Sequence, residues 1–486
     1  MARIVILGAG VSGHTAALHL RRKLGKEHAI TVVSPNSQWN WIPSNIWVGV
    51  GAMEKRDVVF PLAPVYRRKG IDFLQAKAVA LRPEGTPDDA TATVEIEFTD
   101  PARRGQGERI PYDYVVNATG PRLNFAATPG LGPDGGGHTV SVCTADHAIA
   151  AAAQLAESIE RMKSGLRQTL VVGMGHGTCT CEGAAFEYVF NVDHTLREAG
   201  VRDLADLVYL TTEKDLGDFG VDGMVFADGG MQTTSKLWAE SLFRERGIRA
   251  IAGAHVERIE EGKLEYRQLD DSVGTLAFDF AMLLPPFTGV GLVVFDQQGA
   301  DITDQVFAPN KFMRVDADYT VKPYEDWRPE DWPETYESPL FANTFAVGIA
   351  FAPPHPISRP RKTADGVVIS PSPPRTGMPS GVMGKTVAMT IADRVSRGTD
   401  MPAHTASMAR MGAACVASTG AGLRSGTAAA MTMMPVVPDY LRYPTGRDLR
   451  ETRGEIGLAG HWVKLMLHHL FLYKAKGRPG WQFIPE

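Results

Sequence analysis

The chain opens with Arg3-Ile-Val-Ile-Leu7, a short apolar run rich in β-branched residues that predicts a strand buried on both faces. Apolar positions at helical spacing then begin at His14 and continue through Leu20. The alternation of buried strand and helix recurs. Ile30–Val33, Ile71–Leu74 and Tyr114–Asn117 read as further strands, and the polar stretch from about Pro83 to Gly107 reads as a β-meander with a long turn. Thr169–Val172, a helix from about Glu182 to Glu198 and Leu207–Leu210 repeat the strand–helix–strand order. Phe278–Phe287 closes that second unit, and Phe345–Phe351 returns the chain to the first sheet. Residues 353–374 are proline-rich and predict an irregular segment lying on the surface, followed by a helix from Gly377 to about Arg397. Leu458–Tyr473 predicts one amphipathic helix, with His461, Lys464 and His468 as a narrow polar stripe in an otherwise apolar surface.

This order predicts an α/β protein with two Rossmann-like dinucleotide-binding domains and a C-terminal membrane-interface segment. The boundaries read as 1–140 and 295–400 for the two parts of the first domain, 141–294 for the second, and 401–486 for the C-terminal segment. With 486 residues, 44% of them hydrophobic, the chain can bury such cores. A formal net charge of -5 excludes a general nucleic-acid binder. No apolar run reaches the ~20 residues of a membrane span, and no charged–apolar–small leader precedes the first strand. With the C-terminal helix as interface element, the expected location is peripheral on the cytoplasmic membrane, its face unspecified. Basic residues Lys474, Lys476 and Arg478 after the last helix suit a membrane interface, while docking on the protein's own core is the alternative for that helix.

The chemistry starts at Gly8-Ala-Gly10-Val-Ser12-Gly13, between the first strand and helix. In that position Gly8 permits the tight turn, Gly10 lets the backbone approach a pyrophosphate, and Gly13 lets helix and strand pack closely. The helix N-terminus supplies partial positive charge to the phosphates. The second strand ends in Ser34-Pro-Asn36 instead of the usual carboxylate, so Ser34 and Asn36 become the ribose candidates. Ala78, Thr119, Gly120, Gly348, Thr376 and Gly377 complete the expected cofactor site. A fingerprint so near the N-terminus suggests FAD, although spacing alone leaves NAD open. In the second unit Gly173-Met-Gly175-His-Gly177 departs from the fingerprint, and Glu213 could hold a ribose. Tryptophans 39, 41 and 47 lie among Pro and Gly, either as a rigid loop over a planar ring or as core residues.

Four cysteines are too few for a disulfide scaffold. Cys143 and Cys181 each stand at a predicted helix start, where the dipole would favour thiolate at Cys143. His147 lies one turn on and could relay a proton. Cys179 and Cys181 form a single C-x-C without further ligands, which makes a poor zinc site, so no metal is expected. Cys415 sits in a run of small residues, read as a loop.

Pro43-Ser-Asn-Ile-Trp-Val-Gly-Val-Gly51, Cys143-Thr-Ala-Asp-His147, Cys181-Glu-Gly-Ala-Ala-Phe-Glu187-Tyr188, Thr376-Gly377 and Cys415 together resemble the sulfide:quinone oxidoreductases. The resemblance implies FAD as cofactor, with sulfide and a membrane quinone as reactants. It implies that Cys181 and Cys415 are a pair bridged by a disulfide or polysulfide, with Cys143 assisting sulfur transfer. It implies an acid at Glu187 near the quinone. Phe287, Trp462 and Phe471 are open as quinone contacts, and a homo-oligomer is left open. Asp218 stands where some members carry a histidine, which leaves His147 as the relay candidate. An NAD(P)H-dependent flavoprotein using the second unit is the alternative, and an idle flavin-binding protein is a third.

Overall fold

The computed structural model describes residues 1–228, 230–375, 377–420 and 426–486. Thr376 and part of the small-residue run after Cys415 fall outside the described residues. β1 (Arg3–Leu7) enters α1 (Val11–Lys23), and β2 (Ala29–Ser34) follows in parallel beside β1. The meander is β3 (Asp72–Arg82), β4 (Thr93–Phe98) and β5 (Gly107–Pro111). β6 (Tyr114–Asn117) returns to the other side of β1. The meander reaches beyond the polar stretch 83–107 read for it, because the strand begun near Ile71 runs on to Arg82 and a third strand continues to Pro111.

The second unit holds α2 (Ala145–Lys163), β7 (Gln168–Met174), α3 (Glu182–Glu198), β8 (Ala205–Leu210), β9 (Arg249–Ile251) and β10 (Phe280–Leu284). Its sheet runs β9-β8-β7-β10, all parallel. β11 (Thr344–Ala346) pairs with β6 at the edge of the first sheet, whose order is β11-β6-β1-β2-β3-β4-β5. Val293–Val294 pairs with β3, so the last two residues of the 141–294 stretch lie in the first sheet. α4 (Gly377–Arg397) packs on α1, where a Cβ on Gly384 would sit 2.2 Å from the Ser12 carbonyl oxygen.

The C-terminal part contains β12 (Ala413–Thr419), β13 (Thr427–Met433) and β14 (Arg453–Gly457) in one antiparallel sheet, followed by α5 (Leu458–Ala475). Cys415 is therefore on a strand and not in a loop. Its alanine neighbours carry little strand propensity, but their small side chains let this sheet approach α3 closely. Among the described residues no helix is long and apolar enough to cross a membrane.

α5 is oriented by its polar stripe. His461, Lys464 and His468 are buried, while Trp462, Met466 and Leu470 are 51%, 52% and 37% exposed. Leu465, Phe471 and Leu472 face inward, so the helix is both docked on the core and apolar outside. The tryptophan segment is its seat. Trp41 stacks on Phe471 at 4.8 Å, Trp39 stacks on Trp41, and Trp47 meets His468 edge-on at 6.0 Å. These tryptophans belong to the core.

Candidate active site

The first glycine turn is shaped by close approaches. A Cβ on Gly8 would lie 2.1 Å from the Ala118 carbonyl oxygen, and one on Gly13 would lie 2.1 Å from that of Gly8. Gly10 has nothing within 4 Å of its Cβ position, so its backbone faces open space. This is the cradle a pyrophosphate requires. Gly348, at φ +66°, approaches the Ser12 side chain, and Thr119 bonds its hydroxyl to Asn117 Oδ1 at 2.8 Å beside the open Gly120. Ser34 accepts from the Asn36 N–H, and Ala78 lies on β3 beyond its pairing with β2. These residues fit FAD along the C-terminal edge of the first sheet.

The second glycine turn is closed. The N–H of Gly177 donates to His255 Nδ1 at 2.8 Å, that of Thr178 to His176 Nδ1, and that of Cys179 to the His176 carbonyl. The proline-rich segment lies over it, with the N–H groups of Ser370 and Ser372 donating to the carbonyls of Gly177 and Cys179 at 2.8 Å each. A Cβ on Gly177 would lie 2.4 Å from the Val368 carbonyl oxygen. Residues 359–368 lie largely at the surface as expected, but 369–374 do not: this end of the proline-rich segment is buried against the turn, with Ser370 and Ser372 donating to it. Glu213 is corrected as well. It points inward, accepting from Phe219 N–H at 2.6 Å and Thr211 Oγ1 at 2.9 Å, which turns it away from any ribose.

Three cysteines converge near the start of α3. Cys181 is its N-cap in a left-handed conformation, φ 73° and ψ 38°, which costs on the order of 1–2 kcal/mol without glycine. Gly183, two residues on, is held against Cys415: a Cβ there would lie 2.8 Å from its Sγ. Cys143 interacts electrostatically with Cys181, as does Arg375. Asn45–Gly49 holds these pieces together, because Asn45 Nδ2 donates to the Val142 carbonyl and Tyr188 OH to that of Gly49. Cys179 is different. It is fully buried and its Sγ–H donates to the Leu284 carbonyl.

All four cysteines are free thiols, and the expected dipole effect loses to burial. Desolvation pushes Cys143 and Cys415 up to about 11 and Cys181 up to about 12. Alkylation of the reduced protein is accordingly expected to be slow at neutral pH and to keep accelerating through pH 10, which mass spectrometry of each cysteine over a pH series checks. His147 turns toward Phe125, with ring centroids 5.8 Å apart, and its Nε2 faces Asp134 at 3.8 Å. Burial lowers its pKa, so it is neutral near pH 7.

Glu187 lies deeper on α3 and accepts from Lys464 Nζ at 3.0 Å and from the Ser418 N–H at 3.2 Å. The Ser418 hydroxyl bonds His461, and its carbonyl accepts from Asn191 Nδ2 and Trp47 Nε1. Burial raises the Glu187 carboxyl while Lys464 pulls it back down. Phe287 pairs with Leu123 in a two-stranded ribbon, Phe471 is buried on Trp41, and Trp462 is exposed.

Arg375 has no counterpart in the sequence reading. It is buried, donates to the carbonyls of Ile349 and Phe351, stacks on Phe312 at 4.6 Å, and has a buried Nε with no partner among the described residues. Its place just before Thr376-Gly377 was the available signal.

A cofactor cradle in one Rossmann unit and clustered thiols beside another define a flavin-dependent oxidoreductase. The chain belongs to the pyridine nucleotide-disulphide oxidoreductase family, whose model matches residues 2–316. It is 28% identical over 474 residues to the sulfide-quinone reductase of Aquifex aeolicus, covering 97% of this chain and 91% of that protein. The crystal structure of the Aquifex aeolicus sulfide:quinone oxidoreductase superposes with a TM-score of 0.75 at 27% identity, over 98% of this chain and 92% of that one. NDH2 from Plasmodium falciparum, solved in complex with NADH, shares the fold at a TM-score of 0.65 and 10% identity, over 99% and 97% of the two chains. The protein is an FAD-dependent oxidoreductase, resembling the sulfide:quinone oxidoreductases along nearly its whole length.

Proposed function

We propose that this protein oxidises sulfide to sulfane sulfur through Cys181 and Cys415 and reduces a membrane quinone. The observation that carries this reading is the seating of Cys415 Sγ against the first turn of the helix that Cys181 caps. In the oxidised protein these sulfurs are bridged. Hydrosulfide attacks the bridge, one S–S bond breaks as another forms, and the products are a persulfide on one cysteine and a thiolate on the other. Arg375 supplies positive charge beside Cys181 for that thiolate, and Cys143 is the thiol placed to receive sulfur. FAD, when bound, supplies the two-electron acceptor that joins sulfide to quinone. Glu187, paired with Lys464 between α3 and α5, is the acid beside which a quinone entering at α5 would be reduced.

The closed second turn favours this reading over an NAD(P)H-dependent one, since its N–H groups are already bonded. An anaerobic titration tests the two. Sulfide is expected to bleach the flavin and a short-chain quinone to restore it, whereas rapid bleaching by NADH with none by sulfide would overturn the proposal.

The exposed apolar side of α5 makes it a membrane-interface helix in this reading. Trp462→Ser combined with Met466→Ser removes part of that face and is expected to lower binding to anionic lipid vesicles at least about tenfold, read by flotation, with sulfide bleaching retained.

A further inference from the structure

Glu182 follows Cys181 directly and is completely buried. Its Oε1 accepts from Thr212 Oγ1 at 3.1 Å, and its Oε2 is buried with no hydrogen-bond partner among the described residues. A buried acceptor left unpaired is destabilising, so the position calls for a reason. Glu213, equally buried, sits in the same pocket, held by Phe219 N–H and Thr211 Oγ1. Asp218 comes next, its Oδ1 accepting from the Gly220 N–H at 2.9 Å and from the Ser358 hydroxyl. Ser358 Oγ in turn accepts from the Asp222 N–H at 3.1 Å, and Asp222 Oδ2 accepts from Tyr440 OH at 3.0 Å, where Tyr440 is exposed. The 218–220 loop gathers these carboxyls between the residue after Cys181 and the exposed Tyr440: the Phe219 N–H binds Glu213, the Gly220 N–H binds Asp218, and a Cβ on Gly220 would lie 3.5 Å from Glu182 Oε2.

Glu182 acts electrostatically on Cys181, Cys179 and Tyr209, and is itself acted on by Glu213 and Asp218. Tyr324 and Arg447 border the outer end. Arg447 spends its guanidinium on the carbonyls of Pro435, Val221, Gly223 and Val436, not on a carboxylate. Burial and mutual repulsion push Glu213 up to about 8 and raise Glu182 and Asp218. At about 8, Glu213 exchanges protons near neutral pH, where an ordinary carboxyl does not.

We propose that Glu182, Glu213 and Asp218 carry the proton released in sulfide oxidation from Cys181 to solvent at Asp222 and Tyr440. The proposal rests on the sulfide-oxidising reading above. Converting HS⁻ to sulfane sulfur releases one proton and two electrons. The electrons go to the quinone of that reaction, the S–H bond breaks, and its proton passes to Glu182 Oε2. Each carboxyl hands a proton outward as it takes one up, so none changes its net state over a turnover.

The test uses the FAD-loaded protein under anaerobic rapid mixing with sulfide across a pH series, together with infrared difference spectra in H2O and D2O. Glu182→Gln preserves shape and the Thr212 bond. It is expected to slow bleaching about 10²-fold, to alter the pH profile, and to remove a D2O-sensitive carboxyl band that sulfide elicits in the unaltered protein. Asp218→Asn, at the outer end, is expected to slow bleaching in the same way, and it decides the matter if Glu182→Gln fails to retain FAD. Unchanged rate and pH profile in a FAD-loaded variant, or a carboxyl band indifferent to Glu182→Gln, would overturn the relay while leaving the sulfide reading standing. An unaltered protein that sulfide fails to bleach would overturn both.

Discussion

Cys415→Ala is expected to abolish sulfide-dependent bleaching of the flavin, lowering its rate by at least about 10³-fold while leaving bound FAD in place. The sulfur of Cys415 lies against the α3 turn that follows Cys181, and no other cysteine on the C-terminal sheet can replace it. An alanine there removes the partner that must be displaced when hydrosulfide attacks, and water or a hydroxyl is a far harder nucleophile than a thiolate. Cys179→Ala is the matched control. That thiol is packed in the core and bonded to the Leu284 carbonyl, so its loss is expected to cost about 1 kcal/mol of stability and little activity. Stopped-flow bleaching with both variants checks the pair, and a Cys415→Ala protein that bleaches at the normal rate would exclude its proposed role.

The second large effect is one of stability. Lys464→Met leaves Glu187 buried without its cation and is expected to cost about 3–5 kcal/mol at neutral pH, read from denaturant unfolding. The sign of its pH dependence follows from the carboxyl. Burial already raises Glu187 in the folded protein, and losing Lys464 removes the group that pulls it back. A carboxyl whose folded pKa lies above its unfolded one favours folding most at pH below the unfolded value, and that advantage is lost as pH rises through the folded value. The deficit of Lys464→Met should therefore shrink as the solution is acidified. Adding Glu187→Gln to the variant should recover part of the loss at neutral pH, because no charge is then stranded.

Much of the fold was legible because its signals are local. Gly8, Gly10 and Gly13 announce a turn, strand and helix whose spacing alone requires them, and the helix at Glu182–Glu198 begins and ends where its pattern does. The C-terminal helix was legible as amphipathic but not in its orientation: periodicity separates two faces without saying which meets the protein. Burial of His461, Lys464 and His468 was decided by Glu187, Ser418 and Ser44, all distant in sequence. Cys415 was read as a loop residue because alanine and glycine weaken a strand signal that pairing with β13 supplies. Glu182 and Arg375 stand within or beside quoted motifs, but their roles were not legible, since these come from the groups that the folded chain brings to them.

The strap of residues 368–374 has a practical bearing on redesign. Restoring a conventional glycine fingerprint at Gly173–Gly177 would not give this enzyme a taste for pyridine nucleotides, because the binding crevice is filled by the chain's own backbone. An engineer wanting that specificity would first have to reroute or excise the strap, and would then lose the braces it provides just upstream of Cys181.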